Sequence, residues 1–372
     1  MQDLASLAAE LVAIDSVNPD LIEGAAGEGE IARFVAGWLE RAGLGVNVVE
    51  PRPGRPSVVG VARGSGGGRS LMLNAHMDTV GVECMERPLE PRVEEGRLYG
   101  RGAYDMKGSL AAIMLAGREA ARLGLRGDVI VAAVADEEVA SIGTEAVLER
   151  FGADAAIVTE PTSLQLGVAH KGFVSLEIET VGWAAHGSRP DLGIDAIAKM
   201  GRILVGLEEL DRRLRAAPSH PLLGSGSLHA SIVSGGQEFS SYPERCLLQA
   251  ERRTVPGEAV AEVEEDVREL IERVGAGDPD FRASVRTVFS RDPFETVTGE
   301  PLVELVRRHA GDAEIAGLSF WADSALTAAA GIPTVLFGPH GDGAHAAVEW
   351  VDLASLERCL DTYLAVASEL CG

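Results

Sequence analysis

At 372 residues, 46% of them apolar and 24% charged, the chain is long enough for two hydrophobic cores and has the composition of a globular protein. Its formal net charge of −24 leaves no basic stripe for phosphates and excludes nucleic acid as a partner, and the acidity itself is that of a solvated surface. No apolar run approaches the ~20 residues that span a bilayer, so no membrane-spanning helix is expected.

The first residues, Met1-Gln-Asp-Leu-Ala-Ser-Leu, carry no basic segment ahead of an apolar stretch, so no signal peptide is expected. Four cysteines (Cys84, Cys246, Cys359 and Cys371) have neither disulfide nor metal spacing and suit a reducing cytoplasm. Residues 4–14 and 28–42 space their apolar side chains as amphipathic helices do, with Gly43 and Gly45 ending the second. Gly27-Glu-Gly29-Glu-Ile-Ala32 resembles a loose dinucleotide fingerprint, but no strand precedes it. Ser65-Gly-Gly-Gly68 lacks the Gly-Lys-Ser/Thr ending of a phosphate loop and reads as a turn.

Residues 70–75 read as a buried strand leading into His76-Met77-Asp78. Gly100-Arg-Gly-Ala-Tyr-Asp-Met-Lys-Gly108 then opens an alanine-rich helix over 108–123. Residues 128–135 are a strand entering Asp136-Glu137-Glu138, and 155–159 another entering Glu160-Pro161-Thr162. From about 173 to 290 the texture changes. An alternating strand over 173–180 and further strands at 228–233 and 246–251 accompany amphipathic helices over 195–214 and 258–274. Residues 333–337 form a last apolar strand, followed by the loop Gly338-Pro-His-Gly-Asp-Gly-Ala-His345.

Apolar strands separated by helices predict an α/β fold with a mostly parallel twisted sheet covered on both faces. The segment 173–289 predicts a smaller inserted α/β domain, an antiparallel sheet with two helices. Residues 1–172 and 290–372 then form one metal-binding domain, with His170-Lys-Gly172 and residues 290–298 as hinges. In such sheets ligands bind beyond the carboxyl ends of the strands. His76, Glu138, Glu160 and His345 all follow such ends.

These residue types have a common use. Two imidazoles with several carboxylates are the donors that a pair of hydrolytic divalent metals needs. His76 and Asp78 lie two apart on extended backbone and leave the same face, so the carboxylate can hold the second ring nitrogen of a metal-bound histidine. An ordinary strand-end histidine beside a capping aspartate is an equal reading of that pair. Asp105 can bridge two cations through its two oxygens, but a carboxylate ahead of a helix also caps it. Of the adjacent Glu137 and Glu138, one can bind metal while the other faces a substrate water. Pro161 holds the backbone of Glu160 extended. In the last loop His340, and less strongly Asp342, competes with His345.

The ordered set resembles the acetylornithine deacetylase and succinyl-diaminopimelate desuccinylase family of two-zinc aminoacylases and carboxypeptidases, over nearly the whole chain. Two further segments carry the resemblance: Val181-Gly-Trp-Ala-Ala-His-Gly-Ser-Arg-Pro190 is similar to the histidine motif of the family's dimerisation domain, and Arg252-Arg-Thr-Val-Pro-Gly-Glu258 to its arginine motif. The resemblance implies that Asp105 bridges two metals, that His76 and Glu160 complete one site, and that Glu138 and His345 complete the other. It makes Glu137 the general base, Asp78 the partner of His76, His186 the residue that steadies the oxyanion in a partner subunit, and Arg253 the holder of the substrate carboxylate. Taken alone, His186 is a turn or interface residue and Arg253 half of a strand-end ion pair. The ions expected are zinc, with cobalt or manganese as substitutes.

The expected reaction is hydrolysis of an N-acyl amino acid, with a homodimer formed through the insert. Dipeptide or carboxypeptide cleavage and desuccinylation use the same parts, and a non-catalytic binding protein is the minor alternative. Glu160-Pro-Thr-Ser and Ala169-His-Lys-Gly172 look most like the acetylornithine deacetylase branch. Asp323 resembles the desuccinylase side, and Trp321 matches neither, which suggests selection of a smaller or flatter substrate. The chain contains no Gly-x-Ser-x-Gly elbow and no His-Glu-x-x-His string, which excludes those hydrolase classes.

Overall fold

A computed structural model describes residues 2–297 and 299–372, without the side chains of Gln2 and Asp3. Thr298, the end of the second expected hinge, lies outside the described residues, as does Met1 of the N-terminal segment. The chain divides into two compact units: Met1–Val168 with Thr296–Ala316 and Ala322–Gly372, and Ala169–Glu295 with Gly317–Trp321. Among the described residues no helix is long and apolar enough to cross a membrane.

The first unit is built on a mixed sheet whose strands run in the order Gly45–Val49, Ser57–Ala62, Val129–Val134, Leu71–His76, Ala155–Val158, Thr334–Leu336 and Leu166–His170. Its centre is parallel, as the apolar strands require: Leu71–His76 pairs in parallel with Val129–Val134 and with Ala155–Val158, which pairs in parallel with Thr334–Leu336. The flanks are antiparallel.

Alternate residues of the central strands serve the two faces. Leu71, Leu73, Ala75, Val129, Val131 and Ala133 pack into one core with Leu7, Leu11, Ile113, Leu356 and Tyr363. These come from the helices Gln2–Val12, Gly108–Leu123 and Leu353–Cys371. Met72, Ile130, Ala132 and Val134 face the opposite core with Val147 of the helix Ile142–Leu148. Helices on both faces bury both sides of the sheet, which is why these strands tolerate almost no polar residue.

Register then positions the chemistry. His76 is opposite Val134 and Asn74 is opposite Val158. His76, the loop Ala135–Glu138 and Glu160 therefore leave the sheet at one level, and the loop after Leu336 leaves from the strand beyond. A small sheet of Gly341–Asp342, Trp350–Asp352, Arg97–Tyr99 and Arg92–Glu94 ties the last loop to the segment ahead of Asp105.

The second unit is a four-stranded antiparallel sheet in the order Ser227–Gly235, Arg245–Thr254, Gly172–Val181, Arg282–Arg291. The helices Ala196–Ala216 and Val260–Gly275 share its core through Ile203, Leu207, Val267 and Leu270, packed on Leu176, Ile178 and Leu248. Asp195 caps the first helix by accepting from the Ala198 amide at 2.9 Å.

Candidate metal centre

The strand Leu71–His76 ends on His76, whose ring is 1% exposed. Its Nδ1 donates to the main-chain oxygen of Asp78 at 2.9 Å. A carbonyl only accepts, so this bond places a proton on Nδ1 and leaves Nε2 facing Asp105 and the cluster. The expected carboxylate partner is corrected in this respect: the nearer Asp78 oxygen is 3.7 Å from Nδ1. That carboxylate is engaged elsewhere. Oδ1 accepts from the Glu137 amide at 3.1 Å, and Oδ2 accepts from the Glu138 amide at 3.2 Å and from Asn18 Nδ2 at 2.8 Å. Asp78 thus shapes the loop that carries both glutamates.

Asp105 does not cap the following helix. Its segment Ala103–Lys107 is kinked at Asp105 and Met106, and the Asp105–Met106 peptide bond is cis. The two carboxylate oxygens turn to different imidazoles: Oδ1 lies 3.1 Å from His76 Nε2, and Oδ2 lies 3.4 Å from His345 Nε2. Glu160 approaches the first imidazole at 4.0 Å and Glu138 the second at 3.1 Å. Donor atoms of His76, Glu137 and Glu160 fall within 4.8 Å of one another, as do those of His76, Asp105 and Glu138.

All of the expected cluster residues in the first unit therefore come together. His345, with φ of 60°, reaches them. His340 instead stacks edge-on against Trp350 at 5.6 Å, and Asp342 is exposed in the small sheet.

Electrostatics match this crowding. Burial, then the charge of Glu160, pushes the Glu137 carboxyl well above its ordinary range. Burial likewise raises Glu160, and burial with Asp105 raises Glu138. Burial opposes ionisation of Asp105 as well, yet hydrogen bonds from His345 and His76 hold its carboxyl well below the usual range. Those to Asp105 and Glu138 push the His345 imidazole up to about 10.

Glu138 Oε1 is buried without a hydrogen-bond partner. A buried, mutually repelling set of carboxylates, with one imidazole toward each side of Asp105 and an orphaned oxygen, fits a pair of divalent cations.

Sequence reading missed most of the residues behind this cluster and named Asp323 only for its likeness to the desuccinylase side. Arg55 pairs with Glu28 and Asp136, and Asp136 shares Asn18 with Asp78. Glu349 accepts from the amides of Gly102, Tyr104 and Asp105. Only its place four residues past His345 could have pointed to it. Asp323 is buried, accepts from Thr144 Oγ1 at 2.5 Å, and is pushed by burial up to about 6.

His186 and Arg253 lie in the second unit. His186 is exposed, its Nδ1 bonded to Ser188 Oγ at 2.8 Å. Arg253 donates to Glu251 at 2.7 Å and lies 5.3 Å from the centre of the Phe173 ring. Trp321 packs on Phe173 and His170, with ring centres 6.2 and 6.1 Å away.

The profile of peptidase family M20/M25/M40 matches residues 72–369. An acetylornithine deacetylase of Myxococcus xanthus is 30% identical over 98% of this chain and 96% of its own length. An N-formyl-4-amino-5-aminomethyl-2-methylpyrimidine deformylase of Halalkalibacterium halodurans is 28% identical over 100% of this chain and 95% of its own. Among solved structures, the aminopeptidase PepT of Bacillus cereus superimposes with a TM-score of 0.80 at 18% identity, covering 100% of this chain and 99% of that one. A dinuclear metal-binding M20 peptidase of Bacillus subtilis does so with a TM-score of 0.75 at 18% identity, covering 100% and 98%.

Proposed function

The chain belongs to peptidase family M20/M25/M40, and from that premise we propose that it hydrolyses the amide bond of an N-acyl amino acid with two divalent ions, zinc first among them. The observation that carries the reading is Asp105, whose two oxygens face two different imidazoles. His76 and Glu160 would hold one ion and Glu138 and His345 the other, with Asp105 facing both sites. Ions bound there polarise the amide carbonyl and acidify the attacking water.

Glu137 takes the proton of that water and returns it to the leaving amine. Asp78 keeps Glu137 in reach by holding its amide. His186 serves the active site of a second copy, where its ring steadies the developing oxyanion. Arg253 is assigned the substrate carboxylate, for which it must exchange Glu251. Four free cysteines suit the reducing cytoplasm assigned to the chain.

The acetylornithine deacetylase relative supports an N-acyl amino acid as substrate. The deformylase relative, aligned over the whole chain, supports a second reading in which a formyl group leaves an aminomethyl-pyrimidine. Trp321, which matches neither branch, is assigned the selection of a smaller or flatter substrate.

A panel of N-acetylornithine, the formylated pyrimidine and simple dipeptides, assayed with zinc, cobalt and manganese, separates the readings. Glu137→Gln is expected to keep its metal content and lose about 10²–10⁴ in kcat, whereas Glu138→Ala loses metal. Near-normal turnover by Glu137→Gln, or full activity in strong chelator, would overturn the mechanism.

A further inference from the structure

Glu349 is a fully buried acid that the two-metal reading leaves without a task. Its carboxylate is surrounded by donors on a single loop. Oε2 accepts from Arg101 Nη1 at 2.7 Å and from the Gly102 amide at 3.0 Å. Oε1 accepts from the amides of Tyr104 and Asp105 at 2.9 and 3.1 Å. The main-chain oxygen of Glu349 also accepts from the Gly100 amide at 3.2 Å. The loop can wrap this way because Gly102 takes a φ of 77°, a conformation that side-chain-bearing residues adopt at a cost. Arg101 closes the arrangement from the other side, donating to the main-chain oxygen of Ala346 at 3.0 Å, next to His345.

Both oxygens of Glu349 are thus committed to N–H donors, which removes it from the ligand set. What it does instead is join two segments. One ends in Asp105, the carboxylate between the imidazoles, and the other begins at His345. The pairing of Trp350 with Tyr99 brings the two segments alongside each other, but the Ala103–Lys107 turn is kinked at Asp105 and Met106 and His345 lies in a turn, so that ladder does not extend to either ligand. Building on the two-metal reading, we infer that Glu349 is a positioning residue: it cradles the Asp105 loop through four N–H donors and sets the spacing of Asp105 and His345 for the metals.

The test is cobalt(II) titration of metal-free protein, followed by its visible absorption. Glu349→Gln is nearly isosteric, but its amide nitrogen must face two N–H donors whichever way it is turned. The variant is expected to bind cobalt about 10–100-fold more weakly, with an altered visible band, because lost outer partners loosen the ligands they orient. Asp195→Ala, which removes the helix cap in the second unit, is the control for a general loss of stability and is expected to titrate like the natural protein.

Cobalt affinity and spectrum of Glu349→Gln within about twofold of the natural protein, a shift of under about 0.4 kcal/mol, would overturn the inference, and so would an equal loss in Asp195→Ala. Should Glu349→Gln not fold, Glu349→Asp keeps both oxygens but is one methylene short. The same weakening is expected of it, and natural behaviour overturns the inference. Failure of the natural protein itself to bind cobalt is a different result: it sinks the two-metal reading and this inference with it.

Discussion

At Arg55 one guanidinium meets three carboxylates. It forks onto Glu28 with both contacts at 2.8 Å, and reaches Asp20 at 2.6 Å and Asp136 at 2.7 Å, while only 5% exposed. Asp136 takes a φ of 70° and directly precedes Glu137, so the charge that holds Asp136 also holds the start of the glutamate loop. Replacing Arg55 by methionine strands two buried carboxylates, and a loss of about 3–5 kcal/mol is expected in urea unfolding. Arg55→Lys keeps the charge without the fork and is expected to fall between.

The same scale shows where residue-level reading stops. His76, Asp105, Glu138, Glu160 and His345 could be picked out because imidazoles and carboxylates stand out at strand ends. That the Asp78 carboxylate would serve two amides while its carbonyl serves His76 could not, because both groups belong to one residue and only the fold chooses between them.

Among elements, the helix expected over 108–123 is found over Gly108–Leu123, and the strands ahead of Asp136 and Glu160 begin and end within a residue or two of expectation. Long apolar runs read well because both faces of the parallel centre are dry. The strand Arg282–Arg291 went unread although its alternation is visible in the burial pattern: its inward positions are small or polar as often as apolar.

How closely elements pack was not legible at all. Gly143, in the helix Ile142–Leu148, sits so near the end of Val129–Val134 that a Cβ would lie 2.5 Å from both the amide nitrogen and the carbonyl oxygen of Ala135. Gly143→Ala must therefore push helix and strand apart. A loss of about 1–3 kcal/mol is expected in thermal or urea unfolding. A fall in kcat should accompany it, since Ala135 leads into the Glu137 loop.

For the whole molecule, the testable question is whether one copy completes another. His186 is exposed in its own unit, with only Ser188 holding its ring. If it serves a second copy, Glu137→Gln and His186→Ala are each inactive alone. A mixture allowed to exchange subunits regains activity, because one site in each mixed two-fold dimer has both its base and its histidine intact. No recovery, in a preparation shown by sedimentation to be dimeric, would confine His186 to a structural role.

By itself the sequence determined the chemistry available and its order along the chain: two imidazoles, a set of acids, and the apolar strands that deliver them to one edge. Those features are local, since side-chain type and the period of apolar residues do not depend on distant neighbours. Only the tertiary structure decided which atoms meet. It gave His76 a carbonyl in place of a carboxylate, turned the two Asp105 oxygens to opposite imidazoles, and placed Glu349 inside a loop almost 250 positions earlier in the chain (Glu349 and Gly102 are 247 apart). Such contacts follow from strand register and loop path, which are properties of the packed chain as a whole and leave no periodic mark on the residues involved.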